Sequence, residues 1–255
     1  MEKIFINEEV NVFLGEEAEF FLSQKNDSKY LKDGSIHVVD KERWNEAQNY
    51  EKKTWMELCS NANDDRNIDH FTKFNQYSDL LNHRSRIHKV IELGCGPFTN
   101  LRTLHDLLHN LNEVHLVDPL INDYLHHPHC FYKNSNFYGY KTVLHNSPIE
   151  ELDVEDKFDL VIMNNVLEHC FDITIIFEKL SEMLNEGGLF IFHDTFYKTS
   201  EDIIGLVETL YDSGHPIKLS EEYMNNCLSR YKPLFSFESV GTSPKQYSKY
   251  FIGMK

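Results

Sequence analysis

A chain of 255 residues that is 41% hydrophobic and 13% aromatic has the apolar material for a packed core, and wholesale disorder is ruled out. Its 25 lysines and arginines stand against 41 aspartates and glutamates, a formal charge of −16. That balance argues against a nucleic-acid or anionic-membrane surface, because both rely on basic side chains meeting phosphates, and leaves open a local pocket for a phosphorylated small molecule.

No apolar run reaches the ~20 residues of a bilayer helix, and the acidic N-terminus has no basic, export-type leader. Cys59, Cys95, Cys130, Cys170 and Cys227 are odd in number and lack C-x-x-C spacing. They support neither a disulfide framework nor a zinc site. The expectation is a reduced, cytoplasmic protein with no metal, no membrane and no nucleic-acid partner; a homodimer is compatible with it.

In chain order, the alternation in Ile4–Ile6 and Val10–Phe13 predicts two short strands. Residues 41–83 read as helical. Trp44, Ala47, Gln48, Glu51 and Trp55 recur at separations of three and four and share one face. Gln48 and Glu51 on that face call for polar partners.

From Lys89 strands and helices alternate. Val90–Leu93 is a strand ending in Gly94-Cys95-Gly96-Pro97, and Leu101, Leu104, Leu107, Leu108 and Leu111 follow at helical spacing. Val114–Val117 is a second strand, closed by Asp118-Pro119, and Lys141–Leu144 a third. Phe158–Met163 is a fourth, followed by a helix over 173–184 that Glu186-Gly187-Gly188 stops, and Leu189–Phe192 is a fifth. Continuous apolar strands separated by helices predict a parallel sheet covered on both faces. In the tail, Phe235–Val240 and Tyr247–Met254 leave no room for a helix between them, so they pair as an antiparallel edge hairpin.

A strand running into Gly-x-Gly and then a helix is a nucleotide-binding turn. The dinucleotide fingerprint needs a third glycine where Thr99 stands, which disfavours pyrophosphate there. Asp118 ends the second strand 22 residues after Gly96, the place for a carboxylate that accepts from ribose hydroxyls.

These residues resemble the class I S-adenosylmethionine-dependent methyltransferases. Val90–Gly96 looks like their first motif, Val117-Asp118 their second, and Phe158–Val161 with Asn164–His169 their fourth; Asn185–Leu189 resembles the turn into their fifth strand. The resemblance covers about residues 85–255. It implies a Rossmann-like α/β fold, a doubly wound seven-stranded sheet in order 3-2-1-4-5-7-6 with strand 7 antiparallel, over residues 84–255, with residues 1–83 as a mainly helical cap and substrate lid.

The resemblance implies S-adenosylmethionine as cofactor and S-adenosylhomocysteine as product. Glu92 and the Gly94-Cys95-Gly96 backbone would serve the methionine end and the turn, and Asp118 the ribose; Gln48 and Pro119 are further candidate cofactor contacts. Pro148, Ile149 and Glu150 would hold the adenine, and Asn164 and Asn165 would line the cofactor. Pro148 departs from the family pattern, in which many members carry a carboxylate. The reaction class is methyl transfer to oxygen or nitrogen of a small polar acceptor. His193, after strand five, is the preferred base, Asp194 its orienter, and His169 after strand four the other candidate. Tyr50 and Tyr77 are further candidate substrate contacts. The segment Glu42–Trp55 also resembles methyltransferases of bacterial surface-carbohydrate pathways, which implies a sugar, a nucleotide-sugar or a phosphorylated capsule precursor as acceptor. A non-catalytic cofactor-binding subunit and a nicotinamide-dependent reductase are the alternatives, the latter disfavoured by Thr99 and the edge hairpin.

Overall fold

Val90, Ile91 and Leu93 are wholly buried, as a strand covered on both faces requires, and they form the centre of the sheet. The computed structural model describes residues 2–7, 10–14, 35–58, 66–209, 212–241 and 245–255. A hairpin comes first, β1 (Glu2–Asn7) against β2 (Val10–Leu14), with Ile4 opposite Val12. The seven strands of the main sheet are β3 (Lys89–Leu93), β4 (Glu113–Val117), β5 (Lys141–His145), β6 (Phe158–Asn164), β7 (Leu184–Tyr197), β8 (Lys232–Val240) and β9 (Gln246–Met254).

Their order is β5-β4-β3-β6-β7-β9-β8. Counted within the sheet, this is 3-2-1-4-5-7-6. β9 runs antiparallel to both neighbours, and the other four pairings are parallel. The tail hairpin is thus the sheet edge the sequence predicts.

Successive side chains on each strand go to opposite faces. On one face Ile91, Val161, Met163, Phe190 and Phe192 pack under α4 (Ile176–Met183) and α6 (Glu221–Leu228). On the other, Val90, Leu116, Leu160, Ile162 and Ile191 pack with Phe74, Tyr77 and Leu80 from the N-terminal region. That region comprises α1 (Lys41–Lys53), extended by a π turn to Leu58, then α2 (Arg66–Lys73) and the 3₁₀ turns Asn75–Leu80 and Arg84–Arg86. Asp40 caps α1, accepting from Arg43 N at 2.8 Å. The remaining helices are α3 (Ile121–Tyr124) and α5 (Ser200–Thr209). Among the described residues no helix is long and apolar enough to cross a membrane.

Three local expectations change. The leucine-rich segment after the glycine turn is 3₁₀, Asn100–Thr103 and His105–Leu107, rather than one α-helix. Its amides bond three residues back, Leu104 N to Leu101 O and Leu107 N to Leu104 O. Leu101, Leu104, Leu108 and Leu111 are all buried, so spacing named the face and not the helix type. The helix expected over 173–184 is α4, which ends at Met183 because Leu184 turns extended and pairs with Phe158. Residues 186–188 therefore lie within β7 and are not its cap. Cys95, Cys130, Cys170 and Cys227 are buried and form no disulfide among the described residues; Cys59 lies outside the described residues.

Candidate active site

The carboxyl end of β3 is built around a buried acid. Glu92 accepts from the Thr99 hydroxyl, from Asn100 N at 2.7 Å and Nδ2 at 3.1 Å, and from Leu101 N at 3.1 Å. Burial pushes its pKa up, and those donors oppose the rise. Thr99, which breaks the dinucleotide pattern, is thus a ligand of Glu92.

The glycine turn lies above it. Gly94 has φ +67°, and a Cβ there would sit 2.5 Å from Val166 Cγ2. Gly96 has φ +54°, and a Cβ on it would meet nothing within 4 Å. This glycine faces open space, where backbone approaches a ligand.

That space is a cleft open to solvent, of about 920 Å³ when its mouth is included. It gathers most of the residues expected to hold the cofactor. Gly94, Cys95, Gly96, Asp118 and Pro119 form one wall, and Pro148, Ile149 and Glu150 another. Asn164, Asn165 and His169 close it from the end of β6, and Gln48 faces it from α1. Glu92 does not line it; its carboxylate organises the turn from beneath. The spacing pattern gave no sign of Asn67 and His70 of α2, Phe98 or Tyr124, which also line it.

Asp118 accepts from Gly96 N (3.1 Å) and Leu120 N (2.9 Å). Burial, with Glu51 and Glu92 nearby, pushes its pKa up to about 6. Glu150, expected beside an adenine amino group, spends one oxygen on Phe171 N (2.6 Å) and Asp172 N (3.1 Å), fixing the loop before α4. The Asn164 amide, only 4% exposed, has no hydrogen-bond partner among the described residues. An unpartnered buried amide beside an open glycine and a carboxylate at the strand end fits an adenosyl ligand with ribose hydroxyls and an amino-acid tail.

α1 docks on this wall through the polar groups of its inner face. The Trp44 indole N–H and the Gln48 amide both donate to the His169 carbonyl, at 3.0 and 3.2 Å. Glu51 accepts from the Trp55 indole at 3.0 Å and lies 3.7 Å from His169 Nδ1. Trp44, Glu51 and Trp55 also line the cleft.

The three expected catalytic residues separate. His169 lines the cleft; its Nδ1 is 3.0 Å from the Gly214 carbonyl and its Nε2 3.3 Å from the Asn165 amide. Burial lowers its pKa. His193 is not on the cleft wall. Its buried ring is 4.5 Å from His70 and 4.3 Å from Tyr250, and neither nitrogen has a hydrogen-bond partner among the described residues. Burial, His70 and Lys73 hold its pKa well below the usual value. Asp194 does not orient it. That carboxylate is fully buried and accepts from Val166 N (3.0 Å), Leu167 N (2.7 Å) and Thr195 N (2.8 Å), which fixes the turn carrying His169. Tyr50 and Tyr77 do not line the cleft; Tyr77 is core, stacked 5.1 Å from Phe74. The sequence places His193 and Asp194 just after strand five, but β7 runs on to Tyr197, so both lie within the strand, His193 against His70 of α2 and Asp194 against the turn after β6.

A family profile described as a methyltransferase domain matches residues 44–231. No curated protein sequence matches the chain. Among solved structures, 1,6-didemethyltoxoflavin-N1-methyltransferase of Burkholderia thailandensis, with 1,6-didemethyltoxoflavin and S-adenosylhomocysteine bound, is 15% identical, with a TM-score of 0.51, covering 100% of this chain and 99% of that one. The plantazolicin methyltransferase BpumL in complex with S-adenosylhomocysteine is 10% identical, with a TM-score of 0.56 over 91% and 98% of the two chains. The N-methyltransferase NodS from Bradyrhizobium japonicum WM9, also with S-adenosylhomocysteine, is 13% identical, with a TM-score of 0.52 over 80% and 98%. The profile spans most of the chain, including the glycine turn, Asp118 and the end of β6. The chain belongs to the methyltransferase-domain family of S-adenosylmethionine-dependent enzymes.

Proposed function

We propose that the protein transfers the methyl group of S-adenosylmethionine to an oxygen or nitrogen of a small polar acceptor, with residues up to 83 acting as the cap that closes the site. The observation that carries this reading is one continuous cleft. It runs from the open Gly96 and the Asp118 carboxylate to Asn164 and His169 at the next strand end. When bound, the cofactor supplies a methyl group already activated on a sulfonium sulfur. The protein's task is then to hold acceptor, methyl and sulfur in line. Asp118 accepts from the ribose, the backbone around Gly96 and the Asn164 amide hold the amino-acid end, and Trp44 and Trp55 on the cap side keep water out. His169 is the histidine placed to touch the acceptor.

The acceptor we favour is a sugar, a nucleotide-sugar or a phosphorylated precursor of a bacterial surface glycan. Support comes from the resemblance of the 42–55 helix to enzymes of such pathways. Calorimetry tests the cofactor. S-adenosylhomocysteine is expected to bind with one site per chain and NAD not at all; NAD binding without a response to the adenosyl ligand overturns the reading. Mass spectrometry of acceptor mixtures incubated with cofactor then identifies the product by its added methyl group.

His193→Phe separates the histidines. The ring is buried among aromatic groups, so turnover is expected to stay near wild type. A loss in the ~10²–10⁴-fold range of a missing general base would restore His193 to the mechanism.

A further inference from the structure

We propose that Glu51, His169 and His215 form a divalent-cation site at the acceptor end of the cleft. This goes against the metal-free expectation, and cysteine spacing had no bearing on it. The three residues come from separate parts of the chain: α1, the turn after β6, and the loop before α6. A ligating atom of each lies within 4.8 Å of the other two. Metal bonds of ~2.1 Å put neighbouring ligands of a tetrahedron ~3.4 Å apart, and Glu51 Oε1 is already 3.7 Å from His169 Nδ1.

The surroundings are those of a ligand set. His215 Nδ1 is 2.8 Å from Asp212 Oδ1, the carboxylate–imidazole pairing that orients a metal-bound histidine, and its Nε2 is 3.6 Å from Glu168 Oε1. Ile217 N donates to Glu168 O at 3.2 Å and Ile36 N to Lys218 O at 2.8 Å, so both sides of the fold fix the His215 loop. A Cβ on Gly214 would lie 3.0 Å from Glu51 Oε1; glycine lets this loop close on α1. Ligation by His169 Nδ1 gives up its contact with the Gly214 carbonyl and moves its proton to Nε2, where Asn165 accepts it by presenting its amide oxygen.

Charge points the same way. Glu51, Glu168 and Asp212 converge with two cationic side chains, Lys218 at 2.9 Å from Asp212 and Arg43, which among the described residues donates to the Ser213 and Asp212 carbonyls and to none of the three carboxylates. The cleft itself is lined by Glu51, Asp118 and Glu150 and by no lysine or arginine among the described residues. A cation there supplies the positive charge that an oxygen-bearing or phosphorylated acceptor needs. Three protein ligands leave a fourth position for that oxygen. The other convergent group, Glu113, His115 and Asp156, lacks this logic, because Lys89 and Lys141 already neutralise Glu113.

The chemistry of two imidazoles and one carboxylate suits zinc, cobalt or manganese. The ion's existence does not depend on the transferase reading; its work on the acceptor does. The test uses chelator-treated full-length protein titrated with Zn²⁺ by calorimetry and with Co²⁺ by visible absorption. One equivalent is expected to bind, with a cobalt spectrum of low coordination number. His215→Ala is expected to abolish that binding, and Asp212→Asn to weaken it ~10–100-fold. Both variants should keep the wild-type affinity for S-adenosylhomocysteine, which also certifies their fold. Absence of stoichiometric binding, or binding that both variants retain, overturns the proposal. Metal binding lost in the variants, in a protein that methylates no acceptor, upholds the site and defeats the transferase reading instead.

Discussion

Asp118→Ala is expected to weaken S-adenosylhomocysteine binding by about 1–3 kcal/mol, roughly one to two orders of magnitude, while the sheet stays folded. The carboxylate sits at the end of β4, buried but facing the cleft, and accepts from two backbone amides of the turns it joins. Each oxygen keeps a lone pair for a ribose hydroxyl. Its raised pKa of about 6 gives the effect a pH signature. A carboxyl whose folded pKa exceeds its unfolded value favours the protonated form. Its stabilising contribution is present below the unfolded pKa and disappears as pH rises through about 6. Cofactor binding has the opposite sense, because accepting from two hydroxyls requires the ionised form. Affinity is therefore expected to be flat above about pH 7 and to fall as pH drops below about 6. Asp118→Asn should bind weakly at every pH. Calorimetry across that window decides it: a wild-type affinity independent of pH, or an unchanged affinity in the variants, makes Asp118 a turn-former only.

Glu92→Ala is expected to cost the fold about 3–5 kcal/mol, because it strips the acceptor from the Thr99 hydroxyl and from the buried amides of Asn100 and Leu101. In a chain of this size that corresponds to a fall in melting temperature of roughly 10 °C. Glu92→Gln keeps one carbonyl oxygen and the side-chain volume, and should lose about half as much. Both variants should also bind cofactor less well, since the 94–101 backbone is what the carboxylate holds in place. Thermal unfolding followed by circular dichroism measures the first effect. An Ala variant that melts with the wild type would show that water satisfies those donors.

The dependence of Glu92 on Thr99 marks the boundary between what a chain announces and what folding decides. Thr99 read as a missing third glycine, and that was enough to turn the cofactor away from dinucleotides. That its hydroxyl donates to Glu92 required the seven-residue turn to close. Other contacts with long sequence separation were equally hidden. Nothing near Gln48 announced that its amide, with the Trp44 indole, would dock on the carbonyl of His169; the helix face only declared that polar groups needed partners.

What the amino-acid order by itself determined is local and periodic. It comprised the apolar runs that become β3 to β7, the helix-free tail that becomes the β8–β9 hairpin, the glycine turn, and the strand-end position of Asp118. These follow from side-chain alternation and backbone permissiveness, which act over a few residues. Most of the cleft wall was legible for that reason. Only the tertiary structure decided which histidine faces the cleft. His193 lies within β7, where His70 of α2 covers it, while His169 follows β6, where the amides held by Asp194 turn it toward α1. It also decided that Glu51, His169 and His215 meet. Burial and convergence depend on which surfaces the packed elements bring together, and no spacing along the chain encodes that directly.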